Sequence, residues 1–327
     1  MMEGPPTRPT TQMPAATRSS LVLETLAESM RSRDFTTKFN QARIQMRRQG
    51  TGDNWGLTVF GSDSYEVVHQ VARREVDIAL MNPAGPLLAA YRGTGPFREP
   101  MPVRAITVIP SLDWLGFAVT EATGLRSLAD IKERKYPLRV SVRNHADHAS
   151  HVYIDEVLAC YGFSLADIES WGGLVTRDGH APFDEHRGNR ILAGTLDAVF
   201  DEALSQFVPR IDRFGMRLLP LDEPVLKHMD DIGFLRSTIV RSHFPSLPAD
   251  VPALDFSGWP VYTHADAPED LIYEFCRSLD ARKSQVVWQE PRDLPLAEMC
   301  RDTPAAPLKI PLHPAAERYW REAGYLK

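Results

Sequence analysis

The chain has 327 residues, of which 43% are hydrophobic and 24% charged, and a formal net charge of −6 at pH 7. This length suits two ordinary domains or one large two-lobed unit, and the composition is typical of a globular protein. The mild negative charge argues against a nucleic-acid-binding protein, and no apolar run is long enough to cross a bilayer.

The cysteines and the N-terminal segment suggest no processing or metal chemistry. Cys160, Cys276 and Cys300 are far apart, which argues against a disulfide framework and a zinc site. Residues 1–18 are rich in Pro and Thr and lack the apolar segment of a secretory signal, so we expect a disordered arm. As it stands, the sequence indicates a cytoplasmic protein. A periplasmic location would follow if a signal peptide has been removed.

The first third of the chain predicts a βαβ unit. Apolar residues at helical spacing predict helices at 19–30 and 64–74, and short apolar runs predict strands at 42–47, 57–60 and 76–81. The last of these, VDIALM, is nearly all apolar, which is typical of a parallel strand covered on both faces. A strand, a helix and a strand at this spacing form a βαβ unit.

The remainder alternates strands and helices in the same way. A proline-rich stretch at 244–252 suggests that the chain there crosses back to the first lobe. Gly162 is a suitable residue to end the helix predicted at 149–161. Predicted strands lie at 103–109, 114–120, 138–143, 216–221 and 258–263, and residues 194–202 are predicted to pass from a loop into a strand. Predicted helices lie at 127–132, 149–161, 268–279 and 314–324. The fold class is therefore α/β.

Four segments, in this order, resemble one family. They are GSDSYEVVHQVARREVDIAL (61–80), residues 103–142, ILAGTLDAVFDE (191–202), and the run from VYTHADAPEDLIYEF to LHPAAERYWREAG (261–324). The chain is similar in these segments to the TAXI-type solute receptors of tripartite (TRAP) transporters. Their order and spacing carry the resemblance, since no single motif is specific enough alone.

The resemblance implies a two-lobed type-II periplasmic-binding-protein fold. Each lobe would be a small, mostly parallel sheet flanked by helices, with the ligand in the cleft between them. We expect lobe one to hold residues 19–122 and 252–327, and lobe two residues 123–251. The chain departs from the family in lacking a signal, in lacking the glycine-rich first loop, and in having NHADHASH where a small glycine-rich loop is usual.

The segment NHADHASH, residues 144–151, follows a predicted strand and opens a helix, so it should face the cleft. One interpretation is that Asn144, His145 or His148 contacts a ligand carboxylate, aided by the helix N-terminus. A second is that Asp147 or Asn144 only caps the helix. A third is a divalent metal site, which would use His145, His148, His180, Asp201 and Glu202. The sequence favours the first interpretation and no cofactor.

Other candidate ligand contacts lie at predicted strand ends. Asp201 and Glu202 follow the apolar run AVF, where they could bind a cationic group or act as a general base, or form an ordinary surface pair. Ser62, Asp63 and Ser64 precede a helix, Asn82 follows the strand VDIALM, and Trp114 lies near the lobe crossing. Alternatives for these residues are capping, a turn before Pro83, and core packing.

Residues 171–173 and 177–190 form an irregular insert, which holds His180, His186, Arg187 and Arg190. One interpretation is that this basic element pairs with a ligand carboxylate; the alternative, which we favour, is that its arginines are solvated. His313 belongs to the tail segment and should help to dock the last helix.

The favoured function is binding of a small organic anion, with TRAP membrane subunits as partners. The alternative is a cytoplasmic enzyme on the same fold, a metal- or histidine-assisted decarboxylase acting on a carboxylic acid, with His145, His148, Asp201 and Glu202 as its catalytic groups.

Overall fold

A computed structural model describes residues 44–47, 56–61, 65–146, 148–179, 184–286 and 296–327, together with Val22, Glu24 and Thr25. The chain divides into two compact units, Met1–Asn40 and Gln41–Lys327. In the first unit, Val22, Glu24 and Thr25 are helical, which agrees with the helix predicted at 19–30. The predicted arm at 1–18 lies outside the described residues, as do Ser62, Asp63, Ser64, Asp147 and His180.

The second unit contains two sheets. The first sheet has the order β1-β2-β3-β12-β4. Its strands are β1 (Ile44–Arg47), β2 (Gly56–Gly61), β3 (Ile78–Leu80), β4 (Val103–Ile109) and β12 (Trp259–His264). The second sheet has the order β10-β11-β5-β8-β6-β7, with β9 also paired to β5. Its strands are β5 (Trp114–Thr120), β6 (Arg139–Arg143), β7 (Leu174–Asp178), β8 (Ala198–Asp201), β9 (Met216–Leu219), β10 (Arg236–Ile239) and β11 (Val251–Asp255).

Helices flank both sheets. In chain order the described α-helices are α1 (Val67–Ala72), α2 (Gly85–Arg92), α3 (Leu128–Glu133), α4 (Ala149–Cys160), α5 (Leu165–Ser170), α6 (Glu185–Leu192), α7 (Leu204–Phe207), α8 (Glu223–Asp231), α9 (Glu269–Asp280), α10 (Leu296–Met299) and α11 (Pro314–Glu322). No helix among the described residues is long and apolar enough to traverse a bilayer. The predicted two-lobed α/β fold, with one helix-flanked sheet to each lobe, is confirmed.

Both sheets are mixed, so the expectation of mostly parallel sheets needs correction. The parallel pairs are β2 with β3, β6 with β7 and β6 with β8, and each of these connections contains a helix. The chain crosses between the sheets directly, from β4 to β5 and from β11 to β12. Because these connections contain no crossover helix, β5 and β12 enter their sheets antiparallel to their neighbours.

The crossing strands bear on the lobe boundaries. β5 and β11 pair with each other within the second sheet, although the predicted boundaries give β5 and most of β11 to lobe one. The division of the chain between the lobes stays a prediction. β5 is apolar on both faces, as its sequence WLGFAVT indicates: Leu115 and Phe117 join one apolar cluster, and Trp114 and Ala118 join another.

Candidate functional site

Three charged residues end the parallel strands of the second sheet. Arg143 is the last residue of β6, Asp178 of β7 and Asp201 of β8. Since β6 lies between β7 and β8 and is parallel to both, the three residues lie at one edge of the sheet. Open α/β sheets bind their ligands at the carboxyl ends of such strands. This edge is therefore the candidate site.

Arg143 is held by two carboxylates. Its Nε donates to Asp201 Oδ1 at 2.8 Å, and its Nη2 donates to Glu202 Oε1. Among the described residues, no hydrogen bond involves Nη1, and the side chain is 14% exposed. The guanidinium is thus fixed on two of its nitrogens, while the third remains available to a ligand.

Arg187 lies behind Arg143 and is completely buried. Its Nη1 donates to Asp201 Oδ2 at 2.6 Å, and its Nη2 donates to the Asp178 carbonyl at 3.3 Å. Arg190 adds a bond of 3.2 Å to Asp178 Oδ2. The prediction that the arginines of this insert are solvated is therefore wrong for Arg187, because the insert folds back as α6 over the strand ends.

The charge on Asp201 depends on these arginines. Burial by itself would raise the pKa of this carboxyl, but Arg143 and Arg187 outweigh burial and hold the pKa below its ordinary value. Asp201 is fully buried, and both of its oxygens accept hydrogen bonds from arginines. This arrangement favours a role in holding Arg143 over direct contact with a ligand.

Asp113, which the sequence did not single out, joins the same network from the β4–β5 crossing. Its carboxyl accepts backbone N–H bonds from Trp114 at 2.8 Å and from Ala203 at 2.9 Å. Burial, together with the charge of Glu202 and a hydrogen bond to it, raises the pKa of Asp113 well above its ordinary range. This shift favours the protonated form of Asp113.

His148 is the N-cap of α4. Its Nδ1 accepts from the Ser150 backbone N–H at 3.2 Å, and its ring stacks on Phe256 with centroids 6.1 Å apart. Burial and the nearby Arg143 lower the pKa of His148 to about 3, so the ring is neutral at pH 7. The proposed cap by Asn144 is wrong, since the capping side chain is that of His148. Capping by Asp147 lies outside the described residues.

We expect acidification to destabilise the fold through His148. Its pKa is about 3 in the folded protein and about 6.5 in the unfolded chain. Between these values the unfolded state binds the extra proton, so the free energy of unfolding falls as the pH drops below about 6.5. Urea unfolding of the wild type and of His148→Asn, which keeps a good N-cap residue, from pH 7 to pH 4 measures this. Identical pH slopes for the two proteins would contradict it.

The other residues of the loop have different environments. Asn144 is exposed, and its backbone N–H donates to the Asp178 carbonyl at 3.0 Å. His145 is half-buried, with its ring centroid 6.3 Å from that of His148. His145 and His148 therefore lie together beside Arg143 and Asp201.

Asn82 supports the hinge, which consists of the two connections, β4–β5 and β11–β12, by which the chain crosses between the sheets. Its Nδ2 donates to the carbonyl of Phe256 at 3.3 Å and to that of Gly258 at 3.0 Å, both in the connection between β11 and β12. Phe256 also receives the His148 ring, so the hinge connection touches one predicted site residue from each sheet. Asn82 uses both amide protons in this way, which favours a structural role.

Trp114 does not join these residues. Its indole Nε1 donates to Ser237 Oγ at 3.0 Å, and its ring meets Phe244 edge-on at 5.6 Å. The side chain lines a separate cavity. Its contacts are those of a packed side chain that also forms part of the wall of this cavity.

The metal interpretation receives no support from the described part of the chain, in which no three His, Cys, Asp or Glu side chains form a group that could hold an ion. Asp201 and Glu202 are engaged by arginines, and His180 lies outside the described residues. Among the described residues, Arg143 can bind an anion, and the carboxyl of Asp113, with its raised pKa, can act as a proton donor.

Comparisons with known structures give low scores. The alkanesulfonate-binding protein SsuA from Xanthomonas axonopodis pv. citri, bound to MOPS, is 14% identical over 79% of this chain and 70% of its own, with a TM-score of 0.32. A TctC solute-binding protein from Polaromonas is 12% identical over 65% and 64%, with a TM-score of 0.37. SsuA from Escherichia coli is 13% identical over 68% and 62%, with a TM-score of 0.34. The match thus spans less than two thirds of the last two chains.

A family comparison is more informative. The sequence profile of the NMT1-like family matches residues 58–324, which include every described strand from β3 to β12 and all of the described site residues. The match is continuous across both crossings between the sheets. Because the match covers most of this chain, the chain belongs to the NMT1-like family.

Proposed function

We propose that the protein is a solute-binding receptor that holds a small organic anion between its two lobes. The observation that carries this proposal is the fixed guanidinium of Arg143 at the carboxyl end of β6. Asp201 and Glu202 hold two of its nitrogens, and Nη1 is left for a ligand. A preorganised arginine loses little side-chain entropy when it binds an anion, and its planar group matches carboxylate geometry.

The surroundings of Arg143 suit a ligand that arrives with its own charge. The carboxylates of Asp178, Asp201 and Glu202 form ion pairs with the guanidiniums of Arg143, Arg187 and Arg190. The first turn of α4 begins beside them at His148 and presents backbone N–H groups and the positive end of the helix dipole. An anion would complete the hydrogen bonds of both Arg143 and this turn.

Binding can be tested with two classes of anion. Thermal-shift screening followed by calorimetry, with aliphatic and aromatic di-acids and with alkanesulfonates, should show stabilisation, since a ligand that binds only the folded state raises the melting temperature. We expect carboxylates to bind. Hits among sulfonates alone would retain an anion receptor but change its substrate class, and hits among cations alone would contradict the proposal.

A matched pair of variants tests the role of Arg143. Arg143→Lys keeps the charge but loses the guanidinium geometry, so anion affinity should fall about tenfold or more. Arg139→Lys is the control, because Arg139 lies at the other end of β6 and is held in the same way by Asp197, at 2.8 and 2.6 Å. His145→Ala should also weaken binding. Equal losses for Arg143→Lys and Arg139→Lys would place the anion elsewhere.

The resemblance to TAXI-type receptors supports a finer version of this proposal. A receptor of this kind acts in the periplasm and delivers its solute to the membrane subunits of a tripartite transporter. Ser62, Asp63 and Ser64, predicted from the sequence, would then supply hydroxyl and backbone N–H contacts to the solute. Membrane subunits that are purified with the receptor only in the presence of its anion would support this version.

A lyase is the second candidate, and Asp113 is the observation that favours it. The raised pKa of the Asp113 carboxyl favours its protonated form, which could protonate a carbanion left by decarboxylation. His148 is a poorer proton donor at pH 7, because its pKa of about 3 leaves almost no imidazolium there. Incubation with the di-acids that bind, with and without chelator, separates the candidates. Carbon dioxide release that is lost in Asp113→Asn would establish a lyase, whereas tight binding without turnover would establish a receptor.

A further inference from the structure

A second cavity lies beside the hinge, separate from the strand-end site. It has a volume of about 550 Å³, which suits a small organic molecule. Its walls come from the start of β5, from β10 and the loop after it, from the end of β11, and from residues 302–309. None of Arg143, His145, His148, Asp201 or Glu202 lines it.

The sheet order places this cavity on the other side of the crossing strands. In the second sheet β10 and β11 lie on one side of β5, whereas β8, β6 and β7 lie on the other. Residues 302–309 belong to the first lobe, because the Ala305 carbonyl accepts from Ser111 N and the neighbouring Pro311 carbonyl accepts from Ala105 N, on β4. The cavity therefore spans both lobes next to the hinge, and the candidate anion site lies on the opposite side.

The charged groups of the cavity leave one carboxylate uncompensated. Lys309 is occupied by Asp302 at 2.6 Å, and Arg236 is bound by both oxygens of Glu223 at 2.7 Å. Asp255 accepts a backbone bond from Ser257 at 3.1 Å, but within the described ranges no basic side chain forms an ion pair with it. Burial raises the pKa of Asp255 to about 6 and outweighs the hydrogen bonds from Ser257 and the charge of Lys309, which act in the opposite direction.

One part of the wall is apolar, while Ser237, Thr238, His243 and Thr303 add polar groups elsewhere. Leu112, Trp114, Leu235 and Val240 line the apolar part, and the indole of Trp114 is fixed by its bond to Ser237 and by Phe244. A carboxylate facing a rigid aromatic and aliphatic wall is complementary to an ammonium group on an apolar body. An anion would instead meet Asp230, Asp255 and Asp302 together.

We propose that this hinge cavity is a second ligand site, which binds a small organic amine with its ammonium on Asp255 and its apolar part against Trp114. This proposal does not depend on the anion site. The two sites would be occupied at the same time, since they lie on opposite sides of β5 and β11. Because the walls belong to both lobes, an amine in the cavity would also affect how readily the lobes move.

Calorimetry with three matched compounds tests the proposal. Phenethylamine, phenethyl alcohol and phenylacetate differ mainly in the charge of the end group. We expect phenethylamine to bind the wild type and to bind Asp255→Asn about tenfold more weakly or worse. The control is Asp212→Asn, which removes the same charge at the other large groove of the second lobe and should not change the affinity. Asp255→Asn should fold, because it removes an unpaired buried charge and retains the acceptor for Ser257.

The site itself can be verified by NMR. In ¹H–¹⁵N spectra the indole resonance of Trp114, assigned with Trp114→Phe, should shift on titration of the wild type with phenethylamine and stay in place in Asp255→Asn. Equal phenethylamine affinity in wild type and Asp255→Asn would overturn the proposal. So would tighter binding of phenylacetate, shifts confined to other indoles, or no binding at millimolar concentration.

Discussion

Gly85→Ala is expected to destabilise the folded protein by about 1–3 kcal/mol, although alanine is ordinarily the better helix residue. Gly85 is the first residue of α2, and a Cβ atom there would lie 2.2 Å from the hydroxyl of Tyr153 and 3.3 Å from the Gly233 carbonyl. Tyr153 is fully buried and stacks on Phe234 with centroids 4.4 Å apart, so it has little room to move. Chemical denaturation of the variant measures the loss.

A second substitution should reverse the effect. The Tyr153 hydroxyl is buried and, within the described residues, makes no hydrogen bond, so Tyr153→Phe leaves no partner unsatisfied. It also removes the oxygen that the new Cβ would strike. The double variant should therefore be more stable than Gly85→Ala alone, with a coupling energy of about 1 kcal/mol or more.

Tyr262→Phe is the control for this cycle. Tyr262 is likewise fully buried, and its hydroxyl makes no hydrogen bond to any described residue. It is not among the nearest neighbours of a Cβ atom added at Gly85, so its effect should add to that of Gly85→Ala. Equal coupling for both tyrosines, or none for Tyr153, would show that the close approach of α2 and α4 does not limit packing.

α2 follows a strand of the first sheet and α4 one of the second, so the contact joins the two lobes.

The elements with a clear periodic signal were predictable. The βαβ unit predicted at 57–81 is present as β2, α1 and β3, and the helix predicted at 149–161 is Ala149–Cys160. Gly162, expected to end that helix, has φ of 75°, a left-handed conformation that glycine adopts without steric cost. These features depend on local sequence, which is why local pattern finds them.

β7 and α6 were missed for a physical reason. Both lie in the segment interpreted as an irregular insert. β7, LVTRD, is the edge strand of the second sheet, and only its last residue is buried. It therefore lacks the apolar run that marks a covered strand. α6 carries many polar residues, and at position 187 it buries an arginine where the apolar pattern of a helix would have an apolar side chain.

The sequence predicted that Asp201 lies at the end of a strand, but not which residues it pairs with. That this edge of the sheet binds a ligand stays a prediction. The partner of Asp201, Arg143, ends a different strand, and the register of β6 against β8 decides that the two meet. Asp113 reaches the same place through the hinge. Such contacts depend on tertiary topology, so no local spacing predicts them.

Asp201→Asn is expected to be among the most destabilising single changes in the second lobe, by about 3–5 kcal/mol. Asp201 accepts from Arg143 at 2.8 Å and from the fully buried Arg187 at 2.6 Å. Asparagine retains the shape but not the charge. Of the ion pairs that the fully buried Arg187 forms within the described residues, only the longer one to Asp178, at 3.7 Å, would remain. Urea unfolding at pH 7 measures the difference. Asp197→Asn is the control, because Asp197 precedes the same strand and pairs with Arg139, whose side chain is 41% exposed. It should cost about 1 kcal/mol or less.

The pH dependence gives an independent check on Asp201. The arginines hold its pKa in the folded protein below its value in the unfolded chain. Its contribution to stability is therefore complete above the unfolded pKa of about 3.9 and is lost as the pH falls through the lower folded pKa. The difference in unfolding free energy between wild type and Asp201→Asn should be constant at neutral pH and shrink only in strong acid. If Asp201→Asn instead kept full stability and lost anion binding, Asp201 would be a ligand contact, and the role assigned to it in holding Arg143 would be wrong.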